Sequence, residues 1–217
     1  MIIFLVGPDD YRRIEKKKAI VSEFKKKHSN LGAGSFSLSQ EGSVEQFVEF
    51  VRGQSIFESA KLAVLEEVFE GDEDALAPVL RDLAPRQGVT ILVAEREKPP
   101  KKLNFLLEKP VLVEKFGPLE GRDWVRFVER EAARRGVRLT PQSLTLLASA
   151  YQGDAWRCVT ELEKLQWIGK PLEKRDLEDF GLEVAPNFWS LLSGLRSRRV
   201  GDRLLVLEQL FAKNEPA

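Results

Sequence analysis

The stretch Ile2-Ile3-Phe4-Leu5-Val6-Gly7-Pro8-Asp9-Asp10-Tyr11-Arg12-Arg13-Ile14 decides the fold. Five apolar residues in an unbroken run describe a strand buried on both faces, as in a parallel sheet. A glycine turn follows, and then a helical pattern from Tyr11 to Lys27. Ile14, Ala19, Ile20, Val21 and Phe24 fall on one side of that pattern and lysines on the other. The alternation then repeats. Ser35-Phe36-Ser37-Leu38 reads as a short strand. Ser43 is placed to cap a helix carrying Val44, Phe47, Val48 and Val51. Leu62–Leu65 and Val89–Ala94 are further strands, separated by a helix from Leu76 to Leu83. Pro99-Pro100 restarts the chain as a helix through Leu107, and Val111–Val113 is the last strand. This order predicts an α/β domain built on a parallel sheet.

After Phe116-Gly117-Pro118 no β-rich run remains. An amphipathic helix is expected over residues 121–135, with Trp124, Phe127, Val128 and Ala132 on one side. Thr140-Pro141 opens another through Ala150. Asp154 caps a third that carries Trp156, Val159, Leu162, Leu165 and Trp167, and Lys174–Phe180 is a short fourth. Two more are expected at Phe188–Leu195 and Asp202–Phe211. The expected domains are 1–117, 118–184 and 185–217. The last holds only the first two helices of a larger helical unit, and Asn214-Glu215-Pro216-Ala217 looks like an interruption.

The 217 residues suffice for one or two cores. Lys+Arg and Asp+Glu are both 34, which argues against binding nucleic acid through bulk positive charge while leaving local patches open. One cysteine, Cys158, and one histidine, His28, exclude an internal disulfide framework and a two-His or multi-Cys metal site. No signal peptide or membrane-length apolar run is found, so a reducing cytoplasm is the default setting.

A strand, a glycine and a helix in succession is where a phosphate-binding loop sits. A P-loop needs glycine, lysine and Ser/Thr where this chain has Arg12, Arg13 and Ile14. Asp9 and Asp10 would repel phosphate from the helix N-terminus. Glu66-Glu67 at the end of the third strand has the form of a Walker B acidic pair. Without its partner loop it reads as two solvated glutamates. His28 reads as a cation at a helix C-terminus and Cys158 as a packed or half-exposed thiol. No catalytic or cofactor-binding residue is expected. Arg122, Arg126, Arg130 and Arg134 recur every four residues, forming one stripe that either meets DNA phosphates or is a solvated face beside Glu129 and Glu131.

Gly53-Gln54-Ser55-Ile56-Phe57-Glu58-Ser59-Ala60-Lys61-Leu62 sets two large apolar side chains between a helix and a strand. Ile56 and Phe57 either tuck under their own loop or are offered to a partner. With this stretch, the Gly-Pro-Asp-Asp-Tyr turn, Gly153-Asp154 with Glu161-Leu162-Glu163-Lys164-Leu165, Asn187-Phe188-Trp189 and Asn214-Glu215-Pro216, the chain resembles the delta subunits of bacterial DNA polymerase III clamp loaders. The resemblance implies a degenerate AAA+ architecture: a RecA-like domain, a helical lid and the start of a helical collar. It implies no ATP hydrolysis and membership of a DNA polymerase holoenzyme. The implied partners are the sliding clamp (the beta subunit) and the gamma/tau and delta prime subunits, with DNA met indirectly or weakly and no membrane. Ile56 and Phe57 fall on the family's hydrophobic clamp wedge, with Ser55 and Glu58 flanking it; Ile replaces the usual Leu. The alternatives are an AAA+-like interaction module with another partner, and a P-loop-class NTPase with a nonstandard phosphate loop.

Overall fold

The computed structural model describes residues 1–28, 30–53 and 60–179. The residues expected to form the wedge and the helices after Asp179 lie outside these. The chain divides into two compact units, with the break after Pro118.

In the first unit, β1 (Ile2–Val6), β2 (Ala33–Ser37), β3 (Lys61–Glu66), β4 (Val89–Glu95) and β5 (Leu112–Lys115) form one all-parallel sheet in the order β2-β3-β4-β1-β5. The unbroken apolar runs have a direct cause. Successive side chains point to opposite faces, and both faces are covered. Phe4, Leu65, Ile91 and Val93 point to one face, where they pack with α2 (Ser43–Arg52), α3 (Glu73–Leu83) and a 3-10 segment, Lys101–Leu107. Leu5, Leu62, Val64 and Leu92 point to the other, where α1 (Asp10–Lys27) lays down Ile20, Val21 and Phe24. Ala19, expected on the same side, is exposed.

Three expectations need correction. Ser43 is the first residue of α2, not its cap; Gly42 takes the cap position at φ 76°, and the buried Ser43 hydroxyl has no hydrogen-bond partner. The segment after Pro99-Pro100 is a 3-10 helix. Leu103 and Leu106 are both fully buried and three residues apart, the spacing that a 3-10 helix aligns on one side. α3 begins three residues early because Asp72 accepts from the amides of Asp74 (2.9 Å) and Ala75 (3.2 Å), with Glu73 and Asp74 complementing the first turn.

The second unit is helical among its described residues: α4 (Gly121–Arg134), α5 (Pro141–Ala150), α6 (Ala155–Leu165), a 3-10 turn at Gln166–Ile168 and α7 (Lys174–Asp179). The only β feature described here is an isolated bridge between Leu139 and Leu172. Thr140 and Asp154 cap α5 and α6 through the amides of Ser143 and Arg157. Trp124 stacks on Phe127 at 5.3 Å and donates from Nε1 to the Ala148 carbonyl at 2.6 Å, joining α4 to α5. The buried register of α6 is Ala155, Cys158, Val159, Leu162 and Leu165. Trp156 stands one residue off that register, and Trp167 lies beyond the helix end. Both are exposed, Trp167 by 84%. No helix among the described residues is long and apolar enough to cross a membrane.

Candidate functional site

In open α/β sheets, ligands bind outside the carboxyl ends of the strands, near a change in the side taken by the connections. Here α1, after β1, lies on one face, while α2, α3 and the 3-10 segment lie on the other. The corner after β1 is therefore the place to look for a phosphate site.

That corner is closed on itself. Gly7 has φ 140°, and a Cβ there would stand 2.2 Å from the Phe116 carbonyl oxygen, so only glycine allows the approach. The Gly7 amide donates to the Glu95 carbonyl (3.1 Å) and the Asp9 amide to the Phe116 carbonyl (3.1 Å). Pro8 has no amide hydrogen. The Asp9 carboxylate caps α1, accepting from the Arg12 amide (3.0 Å) and Arg12 Nε (2.6 Å). Arg12 Nη2 reaches the Gly117 carbonyl, and the guanidinium lies 5.8 Å over the Phe116 ring. Arg13 is buried; it donates from Nη1 to the Gly7 carbonyl and from Nη2 to Asp10 Oδ1 at 2.6 Å. The amides of Gly7, Asp9 and Arg12 face acceptors of the protein itself, and a carboxylate caps the helix end where phosphate would bind. As a phosphate cradle the loop has little left to offer.

The acids of this edge are engaged as well, with Glu67 exposed to solvent and Glu66 half-buried. Glu66 pairs with Lys17. Glu67 has φ 56°, and its carboxylate accepts from the hydroxyls of Ser37 and Ser39; these bonds, the one from Ser37 first, hold its pKa below the usual carboxylate range. Glu95, at the end of β4, is pushed above that range by burial, with the Val68 amide bond (2.7 Å) and the charge of Arg13 opposing the shift. A carboxylate whose folded pKa is raised adds stability below its unfolded pKa and loses it as pH rises through the folded pKa. Glu95→Gln is therefore expected to raise the melting temperature at neutral pH and to change it little below about pH 4, where the glutamate is protonated in either state. Melting curves across pH check this; a loss of stability at neutral pH would contradict it. No group of three or more metal-ligating side chains is found among the described residues.

The expected wedge, Ile56 and Phe57 with Ser55 and Glu58, lies outside the described residues. Its two stems do not. α2 ends at Gly53, whose amide donates to the Glu49 carbonyl at 2.7 Å. Lys61 opens β3; its amide donates to the Gly88 carbonyl (2.7 Å) and its ammonium to the carbonyls of Phe50 and Gly53. Both stems stand at the amino edge of the sheet, the end opposite the Gly7 corner.

Of the arginine stripe, three members lean on acids of their own helix: Arg126 on Asp123 at 3.9 Å, and Arg130 and Arg134 on Glu131 at 4.0 and 3.2 Å. His28 is the C-cap of α1, its ring 4.6 Å from that of Phe24. Cys158 is fully buried in α6, and burial pushes its thiol up to about 12. The thiolate is the reactive form, so iodoacetamide at neutral pH is expected to leave the native protein unlabelled and to label it fully in denaturant; mass spectrometry reads the outcome.

No protein-family model matches the sequence, and no curated protein matches it. Solved structures do. The Bacillus subtilis DNA clamp loader delta protein superposes with a TM-score of 0.61 at 16% identity, over 99% of this chain and 68% of that one. The Thermotoga maritima RuvB Holliday junction branch migration motor gives a TM-score of 0.52 at 13% identity, over 98% of this chain and 61% of that one. The chain thus spans roughly two thirds of the length of these neighbours. At such identities the likeness is one of fold. The chain has the RecA-like α/β fold of these neighbours.

Proposed function

We propose that the chain is a delta-type clamp-loader subunit that binds and opens a ring-shaped sliding clamp through Ile56 and Phe57 and does not hydrolyse ATP. The observation that carries this reading is the Gly7 corner. An AAA+-like sheet keeps the strand–glycine–helix turn, yet Asp9 caps the helix, Arg13 bridges Gly7 and Asp10, and the Gly7 and Asp9 amides bond to neighbouring strand ends. A subunit of this fold without a phosphate cradle acts by binding. The likeness to a clamp loader delta protein supports the choice of partner class, and the position of the apolar pair between two pinned stems supports the choice of surface.

In this reading the sliding clamp is the direct partner, gamma/tau and delta prime subunits complete the loader, and DNA is met indirectly or weakly. Residues 118–184 act as the lid and 185–217 begin the collar. Capture of the purified sliding clamp by the purified chain, alongside titration with a fluorescent ATP analogue, tests the reading. Clamp binding in the absence of nucleotide is expected. Tight magnesium-dependent nucleotide binding would overturn it in favour of an NTPase with a nonstandard loop. Failure to bind clamp would leave an interaction module with another partner.

A further inference from the structure

We propose that a lysine-walled groove between α1 and the edge strand β2 binds the phosphodiester backbone of a nucleic acid without reading its bases. The groove follows from how the sheet is covered. A helix about 10 Å across shields roughly two strands spaced about 4.8 Å apart. Among the described residues α1 alone packs on its face of the five-stranded sheet. The edge is left open as a groove of about 510 Å³ along α1. Its floor is Ser35 and Val64, register partners on β2 and β3.

The charge in this groove does not resemble that of the whole chain. Net charge is zero overall, yet α1 carries eight basic side chains against three acids. Lys17, Lys18, Lys25 and Lys26 wall the groove, and Glu66 is the one acid in its lining. Glu66 is already paired with Lys17. Lys18 meets Glu15 only in an exposed pair at 3.0 Å, of the kind that contributes little and exchanges readily. Lys25 and Lys26 are exposed and have no ion pair among the described residues.

Spacing and chemistry select the occupant. Lys18 and Lys25 are about 10.5 Å apart along the helix axis, which is about three phosphate steps of one strand. Ammonium groups act as undirected point charges on phosphate, and the Ser22 and Ser35 hydroxyls of the lining add donors of the kind that position a backbone. No aromatic side chain lines the groove to stack a base, and no arginine fork is there to read a base edge. The arginine stripe of α4 is the weaker candidate, because Arg130 and Arg134 lean on the buried carboxylate of Glu131 in their own helix, while Arg126 meets Asp123 only in an exposed pair.

The test needs no clamp, so its failure and that of the clamp reading are distinguishable. Fluorescence anisotropy measures binding of labelled single-stranded and duplex oligonucleotides as salt rises. Contact with about three phosphates predicts that duplex affinity falls about 40-fold between roughly 50 and 200 mM salt. The triple variant K18E/K25E/K26E is expected to bind at least about 10-fold more weakly at the lower salt and to lose most of the salt dependence. A triple variant of matched charge on the stripe, R122E/R126E/R130E, is expected to retain binding. Lys25→Gln and Lys26→Gln singly, each expected to lower the salt slope by about 0.9, keep the test decisive if a triple variant does not fold. The proposal is overturned if the wild-type chain binds neither oligonucleotide, or if the stripe variant loses binding while the lysine variant keeps it. Equal affinity for labelled poly-glutamate also overturns it, in favour of an acidic protein partner.

Discussion

Phe57→Ala is expected to weaken clamp binding by about 30- to 700-fold and to leave the melting temperature nearly unchanged. An aromatic anchor seated in a partner's pocket carries a large share of binding energy, and its truncation costs on the order of 2–4 kcal/mol. A side chain exposed in the free protein contributes little to folding, so stability is spared. An adjacent apolar pair exposed to water also needs a partner to account for it. The opposite assignment, a loop anchor tucked into the first unit, predicts the reverse. Truncating a core phenylalanine costs roughly 3–5 kcal/mol of folding stability and need not change the affinity of the molecules that do fold. Thermal melts and clamp titrations of one variant separate the two outcomes. A variant that melts much earlier yet binds clamp normally would remove Phe57 from the wedge. Ile56→Ala is expected to follow Phe57→Ala with a smaller loss, since its buried surface is smaller.

The sheet was legible because a strand buried on two faces has no polar alternation to obscure it. Ile2–Val6, Leu62–Leu65 and Val89–Ala94 each read as an interior strand and each is one; the first keeps its bounds, and the other two are longer by two residues and one, where the charged ends Lys61, Glu66 and Glu95 continue the pairing. What the pattern could not show was backbone geometry decided by neighbours. Gly42 takes a cap position that Ser43 would suit chemically. The Pro-Pro start is compatible with either helix type, and the Leu103–Leu106 pair settles it only once the sheet face beneath is known. Trp156 and Trp167 look like core residues by size, but Trp156 stands off a register set by the smaller Ala155 and Cys158, and Trp167 lies beyond the helix end.

The candidate site divides in the same way. A missing P-loop lysine can be read off a sequence, because the motif is local. What fills its place cannot, because Arg13 meets Gly7 only when the turn folds back, and the Gly7 amide meets the Glu95 carbonyl only across two paired strands. An arginine three residues after an aspartate on a helix is ordinarily a surface pair. Its burial here was the signal that the sequence did not contain.

Arg13→Ala is expected to destabilise the protein by about 2–3 kcal/mol, and the variant is expected to gain no affinity for nucleotide. Removing one member of a buried ion pair costs roughly 3–5 kcal/mol, because the partner is left charged and poorly solvated. The lower figure applies because Asp10 keeps 35% of its side chain in water and has a second cation, Arg96, at 3.8 Å. Two losses remain uncompensated. The Gly7 carbonyl forfeits its guanidinium donor, and Glu95, already held above the usual carboxylate range by burial, loses the positive charge that opposes that shift. Arg13→Lys is expected to recover less than half of the cost, since a single ammonium cannot reproduce a planar fork that spans Gly7 and Asp10. Emptying the corner does not make it a phosphate site: Asp9 still caps the helix, and the Gly7 and Asp9 amides still face Glu95 and Phe116. Denaturant unfolding measures the first expectation and an ATP-analogue titration the second. A variant as stable as the wild type would show Arg13 to be a surface charge; one that binds nucleotide would show that Arg13 alone keeps the phosphate site closed.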